Sequence, residues 1–193
     1  EITETSLPAF KKALTEGTLD VGLASDVSTV PYGSLVQVLR EEEIFLAISM
    51  FHPYALTHPS GTPITAEEVK ANFAGDSLLL SKKGASLRMI GDRFFDSCGF
   101  EPVAVCETNN ISATRSMVAQ NAGVAFISES CSINRNHIAY YPLSPAMKRL
   151  NLVVHQKDWV LNEPEQAFMD HILNYFKQNT EHPYLAEKYS ISF

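Results

Sequence analysis

The stretch Met117-Val-Ala-Gln-Asn-Ala-Gly-Val-Ala-Phe-Ile127 contains the end of a helix, a glycine turn and an apolar strand. The helix is expected to begin at a cap, either Asn109 or Asn110, because asparagine satisfies free N–H groups at helix starts. Gly123 ends it, since glycine adopts the backbone conformations that tight turns require. Val124–Ile127 is short and wholly apolar, which is typical of a strand buried on both faces. The stretch therefore predicts a helix followed directly by a buried strand.

The same alternation extends in both directions along the chain. Further helices are predicted to begin at the caps Thr5 or Ser6, Thr65, Ser86 and Asn162. Further strands are predicted at Asp20–Ala24, Leu35–Leu39, Ile44–Ser49, Ser77–Ser81, Pro102–Cys106, Ile138–Tyr141 and Leu150–His155, with the end of another at Glu1–Glu4. The charged run Arg40–Glu43 is predicted to be a solvated turn between two of these strands. Alternating units of this kind predict an α/β fold with parallel sheets covered by helices.

Two connectors divide the pattern. His52–Pro63 and Pro142–Ala146 have strand–helix units on both sides, which predicts two Rossmann-like subdomains joined by two crossing strands. Subdomain I is predicted from residues 1–49 and 149–193, and subdomain II from residues 50–148. Ligands of such folds bind at the carboxyl ends of the strands, usually between the lobes.

Composition excludes several classes of protein. The chain has 193 residues, 45% of them hydrophobic, and a net charge of -7, so it is neither disordered nor suited to direct contact with DNA. No apolar run approaches the roughly 18 residues that cross a membrane, so no membrane partner is expected. Cys98, Cys106 and Cys131 form no CxxC pair, which favours small buried thiols in a reducing, cytoplasmic protein.

The motifs of catalysis are missing from the sequence. It contains no GxGxxG, GxxxxGK[ST], GxSxG or HExxH motif, and no nucleophile with a nameable orienting partner. His52 and His58 have no cysteine or carboxylate at metal-ligand spacing beside them. We therefore predict no catalytic residue, no metal site and no cofactor, and a protein that is not an enzyme.

Small polar side chains follow several predicted strands. They are Ser25, Ser81, Thr108, Asn109 and Ser128. Such groups, placed beside helix N-termini, can bind a polar or anionic ligand, although the same residue types are also ordinary helix caps. Lys82, Lys83 and Arg88 favour a carboxylate or phosphate, whereas Glu107 favours an amine. The pattern predicts a site for a small polar or anionic molecule.

The order of these segments resembles the effector-binding domain of LysR-type transcriptional regulators. The most specific match is Thr108-Asn109 followed by the opening stretch Met117–Ile127, similar to the family's "t.n…..mVa.g.Gva..p". The other matching segments are Leu14–Leu23 (LTEGTLDVGL), Glu42–Ala47 with His52-Pro53, Ser86–Pro102, Tyr141–Leu143, Arg149-Leu150 and Phe168. The similarity extends over nearly the whole chain.

The resemblance implies a fold of the type II periplasmic-binding-protein kind, with an effector in the cleft between subdomains. Carried over onto this sequence, the effector-binding positions are Ser25, Ser81, Thr108, Asn109 and Ser128. It also implies a homodimer or homotetramer that contacts DNA only through an N-terminal winged helix-turn-helix outside this sequence, and a first strand and helix of subdomain I outside it as well. A solute-binding protein of a transporter, and an enzyme on the same two-lobe plan, are the alternatives.

Overall fold

The computed structural model describes residues 2–32, 36–155 and 160–178 and confirms the predicted α/β fold. The helices in these ranges are α1 (Leu7–Glu16), α2 (Pro53–Thr57), α3 (Ala66–Phe73), α4 (Ser86–Cys98), α5 (Ile111–Ala119) and α6 (Glu163–Gln178), with short 3-10 helices at Val30–Tyr32 and Glu129–Cys131. The strands are β1 (Val21–Asp26), β2 (Val36–Ser49), β3 (Ile64–Thr65), β4 (Leu78–Leu80), β5 (Ala104–Glu107), β6 (Val124–Ser128), β7 (Ile138–Ser144) and β8 (Lys148–His155).

The chain divides into two compact units. The first comprises Glu1–Glu41 and Leu150–Phe193, and the second comprises Glu42–Arg149. The chain passes from one unit to the other within β2 and again within β8. The subdomain bounds predicted from the sequence, 1–49 with 149–193 and 50–148, stay a prediction.

The first unit is built on an antiparallel pair. β1 pairs with β8 in a register that runs from Val21 opposite His155 to Asp26 opposite Leu150. The helix α1 begins where the sequence predicts, because the Ser6 side chain accepts the Ala9 N–H. The sequence also predicts the end of a strand at Glu1–Glu4, before α1. This prediction is wrong for residues 2–4, which form no strand, and residue 1 lies outside the described residues. One apolar core cluster of this unit contains Phe10, Tyr32, Leu152 and Val154.

A buried carboxylate sits at the end of β1. Asp26 is 1% exposed, and its Oδ2 lies 2.6 Å from the Lys11 Nζ and accepts a 2.7 Å hydrogen bond from the Tyr32 hydroxyl. Burial alone would raise the pKa of Asp26, but the hydrogen bonds from Lys11, Tyr32 and the Val27 N–H outweigh it and lower that pKa below its ordinary value. The ionised carboxylate therefore stabilises this unit.

Replacing Asp26 with asparagine is expected to lower the free energy of unfolding by about 1–3 kcal/mol near neutral pH, because the Lys11 ammonium loses its counter-ion. The folded pKa lies below the unfolded one, so this contribution is complete above about pH 5 and is lost as the pH falls through the folded pKa. Urea denaturation at a series of pH values should show the gap between wild type and variant closing on acidification. Glu16→Gln, which removes the exposed partner of Lys12, is the control. A gap that stays constant with pH would contradict the assignment.

The second unit is a mixed sheet with the strand order β3-β7-β2-β6-β4-β5. β4 is parallel to both β5 and β6, as the alternating pattern predicts, but β2 is antiparallel to β6 and to β7. The prediction of wholly parallel sheets is therefore wrong. The reason is that α4 connects β4 to β5 and α5 connects β5 to β6, which makes these three strands parallel, whereas β2 joins the sheet between β6 and β7 without such a crossover and runs opposite to both.

The predicted turn at Arg40–Glu43 is also wrong, because β2 runs without interruption through 14 residues. Glu42 shares a strand face with Ile44 and Leu46, and all three are at most 1% exposed. Alternate residues of a strand point to the same face, so the third charged residue of the run is carried into the core. A buried carboxylate at this position requires a partner.

Helix starts follow the local signals closely. Thr65 and Glu68 form a capping box at α3, Asn110 caps α5, and Asn162 and Glu165 exchange hydrogen bonds at α6. The cap of α4 is displaced by one residue.

Ser86, the predicted cap of α4, is instead its first helical residue, and Ala85 stands at the N-cap position. The buried side of α6 does not include Phe168, one of the positions that match the family resemblance. Phe168 is exposed, and Met169 is buried with Ile172.

Gly123 is required at the turn before β6 by a close approach of backbone. A Cβ atom built on it would lie 2.6 Å from the Ser77 carbonyl oxygen, which also accepts the Val124 N–H at 2.9 Å. A side chain at this position would separate β6 from the start of β4, its parallel neighbour. The glycine of the opening stretch therefore sets the spacing of the central strands.

Candidate functional site

A cavity of about 200 Å³ lies within the second unit, at the carboxyl ends of β4, β5 and β6. Its polar lining consists of Ser81, Thr108, Asn109, Thr114, Ser128, Cys131 and Arg149. Its apolar lining consists of Leu79, Leu87, Ile111 and Phe126. This is the edge at which parallel α/β sheets bind their ligands, since strand ends and helix starts leave polar groups unpaired there.

Four of the five predicted site residues meet in this cavity, namely Ser81, Thr108, Asn109 and Ser128. Ser25 does not belong to it, because it is part of the first unit. It also lies within β1 rather than in the predicted loop, and its hydroxyl donates a 2.7 Å hydrogen bond to the Asn151 Oδ1. The effector-binding roles of all five stay predictions.

The loops that carry Ser81 and Asn109 are linked to one another. The Asn109 Oδ1 accepts the Lys82 N–H at 3.0 Å, and the Thr108 N–H donates to the Leu80 carbonyl at 2.9 Å. The Thr108 Oγ1 accepts the Asn110 N–H at 3.0 Å, which leaves its hydroxyl proton available to a ligand. These bonds fix the polar wall of the cavity before any ligand arrives.

Arg149 supplies the positive charge of the cavity, and its partner is the buried Glu42. The Arg149 Nε donates a 2.6 Å hydrogen bond to the Glu42 Oε1, and the Arg149 Nη2 donates a 2.8 Å bond to the Ser128 Oγ. The Glu42 side chain is 0% exposed and the Arg149 side chain 14%. The other carboxylate oxygen of Glu42 accepts the Ser130 N–H at 3.2 Å. These three hydrogen bonds therefore fix the guanidinium in the lining of the cavity.

Glu42 and Arg149 are the functional candidates that the sequence analysis missed. The charged run Arg40–Glu43 predicts a solvated turn at Glu42, and Arg149 is only one of the positions that match the family resemblance. The alternation Glu42, Ile44, Leu46 would have revealed a carboxylate on a buried strand face. No local signal identifies its partner 107 residues further on.

Arg88, which was expected to attract an anion, is occupied by carboxylates of the protein. Its Nη1 donates to Glu107 at 2.7 Å and its Nε to Asp92 at 2.8 Å, and these hydrogen bonds raise the pKa of Arg88. The same Nη1 donates to the Ser81 carbonyl at 3.3 Å. Arg88 therefore supports the loop after β4 through the Ser81 carbonyl. Glu107, which the sequence suggests as a partner for an amine, is ion-paired with Arg88.

All three cysteines are free thiols. Cys98 is buried at the end of α4, where burial raises the pKa of its thiol, and Cys131 lines the cavity. Among residues 2–32, 36–155 and 160–178, no three histidine, cysteine or acidic side chains gather in a metal-binding arrangement. None of the helices described in these ranges is long and apolar enough to span a membrane.

An α/β unit with a polar cavity at the carboxyl ends of its strands defines a domain suited to binding a small molecule. Comparison with protein families shows which family of such domains the chain belongs to. Residues 1–177 match the LysR substrate binding domain, and the chain belongs to that family.

Two curated relatives are regulators of Bacillus subtilis (strain 168). The uncharacterized HTH-type transcriptional regulator YybE is 25% identical over 167 residues, covering 86% of this chain and 54% of its own length. The uncharacterized HTH-type transcriptional regulator YwqM is 25% identical over 177 residues, which cover 86% of this chain and 55% of YwqM. This chain thus spans about half the length of these relatives. Both are named as transcriptional regulators.

Solved structures share the fold. The CcmR regulatory domain of Synechocystis PCC6803, in complex with 2-PG, superposes with a TM-score of 0.71 at 16% identity, covering 91% of this chain and 82% of that one. The effector binding domain of QuiR, in complex with shikimate, superposes with a TM-score of 0.69 at 17% identity, and the match covers 93% of this chain and 82% of the QuiR domain. The reduced form of OxyR superposes with a TM-score of 0.67 at 20% identity, and the match covers 94% of this chain and 82% of the OxyR chain.

Proposed function

We propose that this domain senses a small polar or anionic metabolite, which binds in the cavity at the carboxyl ends of β4, β5 and β6. The observation that carries the proposal is the convergence of Ser81, Thr108, Asn109 and Ser128 with Arg149 on one cavity. Two structural relatives, CcmR and QuiR, were solved with the small molecules 2-PG and shikimate. The predicted cleft between subdomains stays a prediction, and the proposal concerns the cavity within residues 42–149.

The proposal also states how ligand binding is transmitted to DNA. The two compact units act as the predicted subdomains, and the ligand shifts the population of a homodimer or homotetramer through its differential affinity for two states. A winged helix-turn-helix outside this sequence binds DNA, and the protein works in the cytoplasm. The family match supports this function over that of a transporter solute-binding protein.

A thermal-shift screen of small metabolites tests the proposal directly. A ligand present at about 100 times its Kd stabilises the folded state by about 2.7 kcal/mol, which is a readily measured shift in melting temperature. The metabolite should be recovered chemically unchanged after incubation. Turnover of the metabolite would indicate an enzyme instead and overturn the proposal.

Replacing Thr108 with leucine is expected to weaken binding of a metabolite found in that screen by about tenfold or more, which is about 1.4 kcal/mol. The larger side chain occupies the polar wall and removes a hydroxyl donor. Isothermal titration calorimetry measures the Kd. Thr62→Leu, at an exposed threonine outside the cavity, is the matched control and should bind like wild type. Equal Kd values for both variants would place the ligand elsewhere.

A further inference from the structure

We propose that Arg149 determines the specificity of this cavity and receives a single carboxylate of the ligand, while Glu42 positions the guanidinium. This inference rests on the proposed function, because it assigns the ligand class of the same cavity. It concerns two residues on the strands through which the chain passes between its two units, since Glu42 begins the second unit and Arg149 ends it.

The donors of Arg149 point to an acceptor that the protein does not supply. Its Nε bonds to Glu42 and its Nη2 to Ser128, but the Nη1 makes no hydrogen bond to any residue in the described ranges. The side chain lines the cavity and is 14% exposed. A guanidinium presents its terminal N–H groups in a planar fork that matches a carboxylate. The free Nη1, with the remaining proton of Nη2, is therefore a docking point for a carboxylate in the cavity.

Glu42 limits the charge that the cavity accepts. Its side chain is fully buried and already neutralises Arg149 at 2.6 Å. Any negative charge on the ligand is therefore added to a pair that is already neutral, and among the residues that the structure describes no cationic side chain other than Arg149 lines the cavity. A dianion such as a phosphate monoester would bury more charge than these groups offset. The arrangement selects a monoanion.

The apolar part of the lining selects the body of the ligand. Leu79, Leu87, Ile111 and Phe126 contribute an apolar surface to the same cavity as the polar loops. A hydrocarbon or ring body gains from burial against this surface, whereas a strongly hydrated body does not. The ligand class is therefore a small monocarboxylate with an apolar or ring-shaped body.

The thiol of Cys131 provides a reporter inside the same cavity. Iodoacetate and iodoacetamide have nearly the same size and both alkylate thiols, but only iodoacetate carries a carboxylate. The ratio of their rates at Cys131, measured by mass spectrometry of the cysteine peptides, reports how well the cavity attracts a carboxylate. The same ratio at Cys106, a partly buried thiol that does not line the cavity, is the internal reference.

The decisive variant is Glu42→Gln/Arg149→Gln, which removes both charges and leaves neither one buried alone. Its iodoacetate-to-iodoacetamide ratio at Cys131 should fall about tenfold from the wild-type value, with the Cys106 ratio unchanged. Arg149→Lys keeps the charge and should retain most of the wild-type ratio. Should the double variant fail to fold, wild type decides alone, because its ratio at Cys131 must exceed that at Cys106.

The outcomes separate this inference from the proposed function. If Cys131 reacts but the ratio is the same in wild type and double variant, Arg149 does not present its charge to the ligand. That result overturns the carboxylate assignment and leaves the cavity as a site for an uncharged ligand. If neither reagent modifies Cys131 while Cys106 is alkylated, the cavity is closed to small molecules. That result contradicts the proposed function as well.

Discussion

Replacing Arg149 with methionine is expected to lower the free energy of unfolding of the domain by about 3–5 kcal/mol. The substitution keeps an unbranched apolar side chain but leaves the Glu42 carboxylate, whose side chain is 0% exposed, without its guanidinium. It also removes the donor to the Ser128 hydroxyl. Urea denaturation followed by circular dichroism measures the loss.

A second variant separates the unpaired charge from the lost packing. The Glu42→Gln/Arg149→Met double variant has no buried charge and should recover most of the lost stability, because replacing both members of a buried pair costs little. Arg93→Met, at an exposed arginine of α4, is the control and should change stability by less than about 0.5 kcal/mol. If the single variant Arg149→Met and the double variant had the same free energy of unfolding, the unpaired Glu42 carboxylate would cost no stability. That result would contradict the role of Arg149 as its counter-ion.

Replacing Phe126 with alanine is expected to lower the free energy of unfolding by about 3–5 kcal/mol, the usual cost of deleting a buried aromatic ring. Phe126 is 8% exposed, and its ring centroid lies 5.5 Å from that of Phe94 and 5.2 Å from that of Phe95. The ring also reaches α4 at Gly91, where a Cβ would lie 3.0 Å from it. The substitution therefore removes the contacts that this ring makes with α4 at Gly91, Phe94 and Phe95.

Chemical denaturation of the Phe126→Ala variant measures this effect, and Phe168→Ala is its matched control. Phe168 is 45% exposed on α6, so its removal should cost less than about 1 kcal/mol. Phe126 also forms part of the apolar cavity wall, and its loss enlarges the cavity. A cost for Phe126→Ala as small as that for Phe168→Ala would show that β6 does not hold α4 through this ring.

Local signals in the sequence were sufficient for most elements of the fold. Ser6, Thr65, Asn110 and Asn162 cap helices as predicted, because a cap depends on residues within one turn of it. Gly17 ends α1 in the left-handed conformation, with a φ of 71°. Such features require no knowledge of the rest of the chain.

The pairing of strands could not be predicted in the same way. The antiparallel partners of β2 come from residues 124–128 and 138–144, far along the chain, and nothing local to β2 specifies them. The same limit applies to the site. Ser81, Thr108, Asn109 and Ser128 follow strands and were recognisable by position, whereas the pairing of Glu42 with Arg149 depends on tertiary structure.

Ser25 illustrates the opposite error. Its place after an apolar run suggested a loop beside a helix, but β1 continues to Asp26. The strand extends because β8 offers partners as far as Leu150, and the Asn151 side chain accepts the Ser25 hydroxyl proton. A polar residue at the end of an apolar run is thus no proof that the strand has ended.

The most direct test of the binding assignment is protection of Cys131 by a metabolite that raises the melting temperature. Increasing metabolite concentrations should slow alkylation of Cys131 by iodoacetamide in a saturable manner, with a half-point equal to the calorimetric Kd, while Cys106 reacts at its unliganded rate. A metabolite that binds and stabilises the domain but leaves the Cys131 rate unchanged would contradict the assignment of this cavity as the effector site.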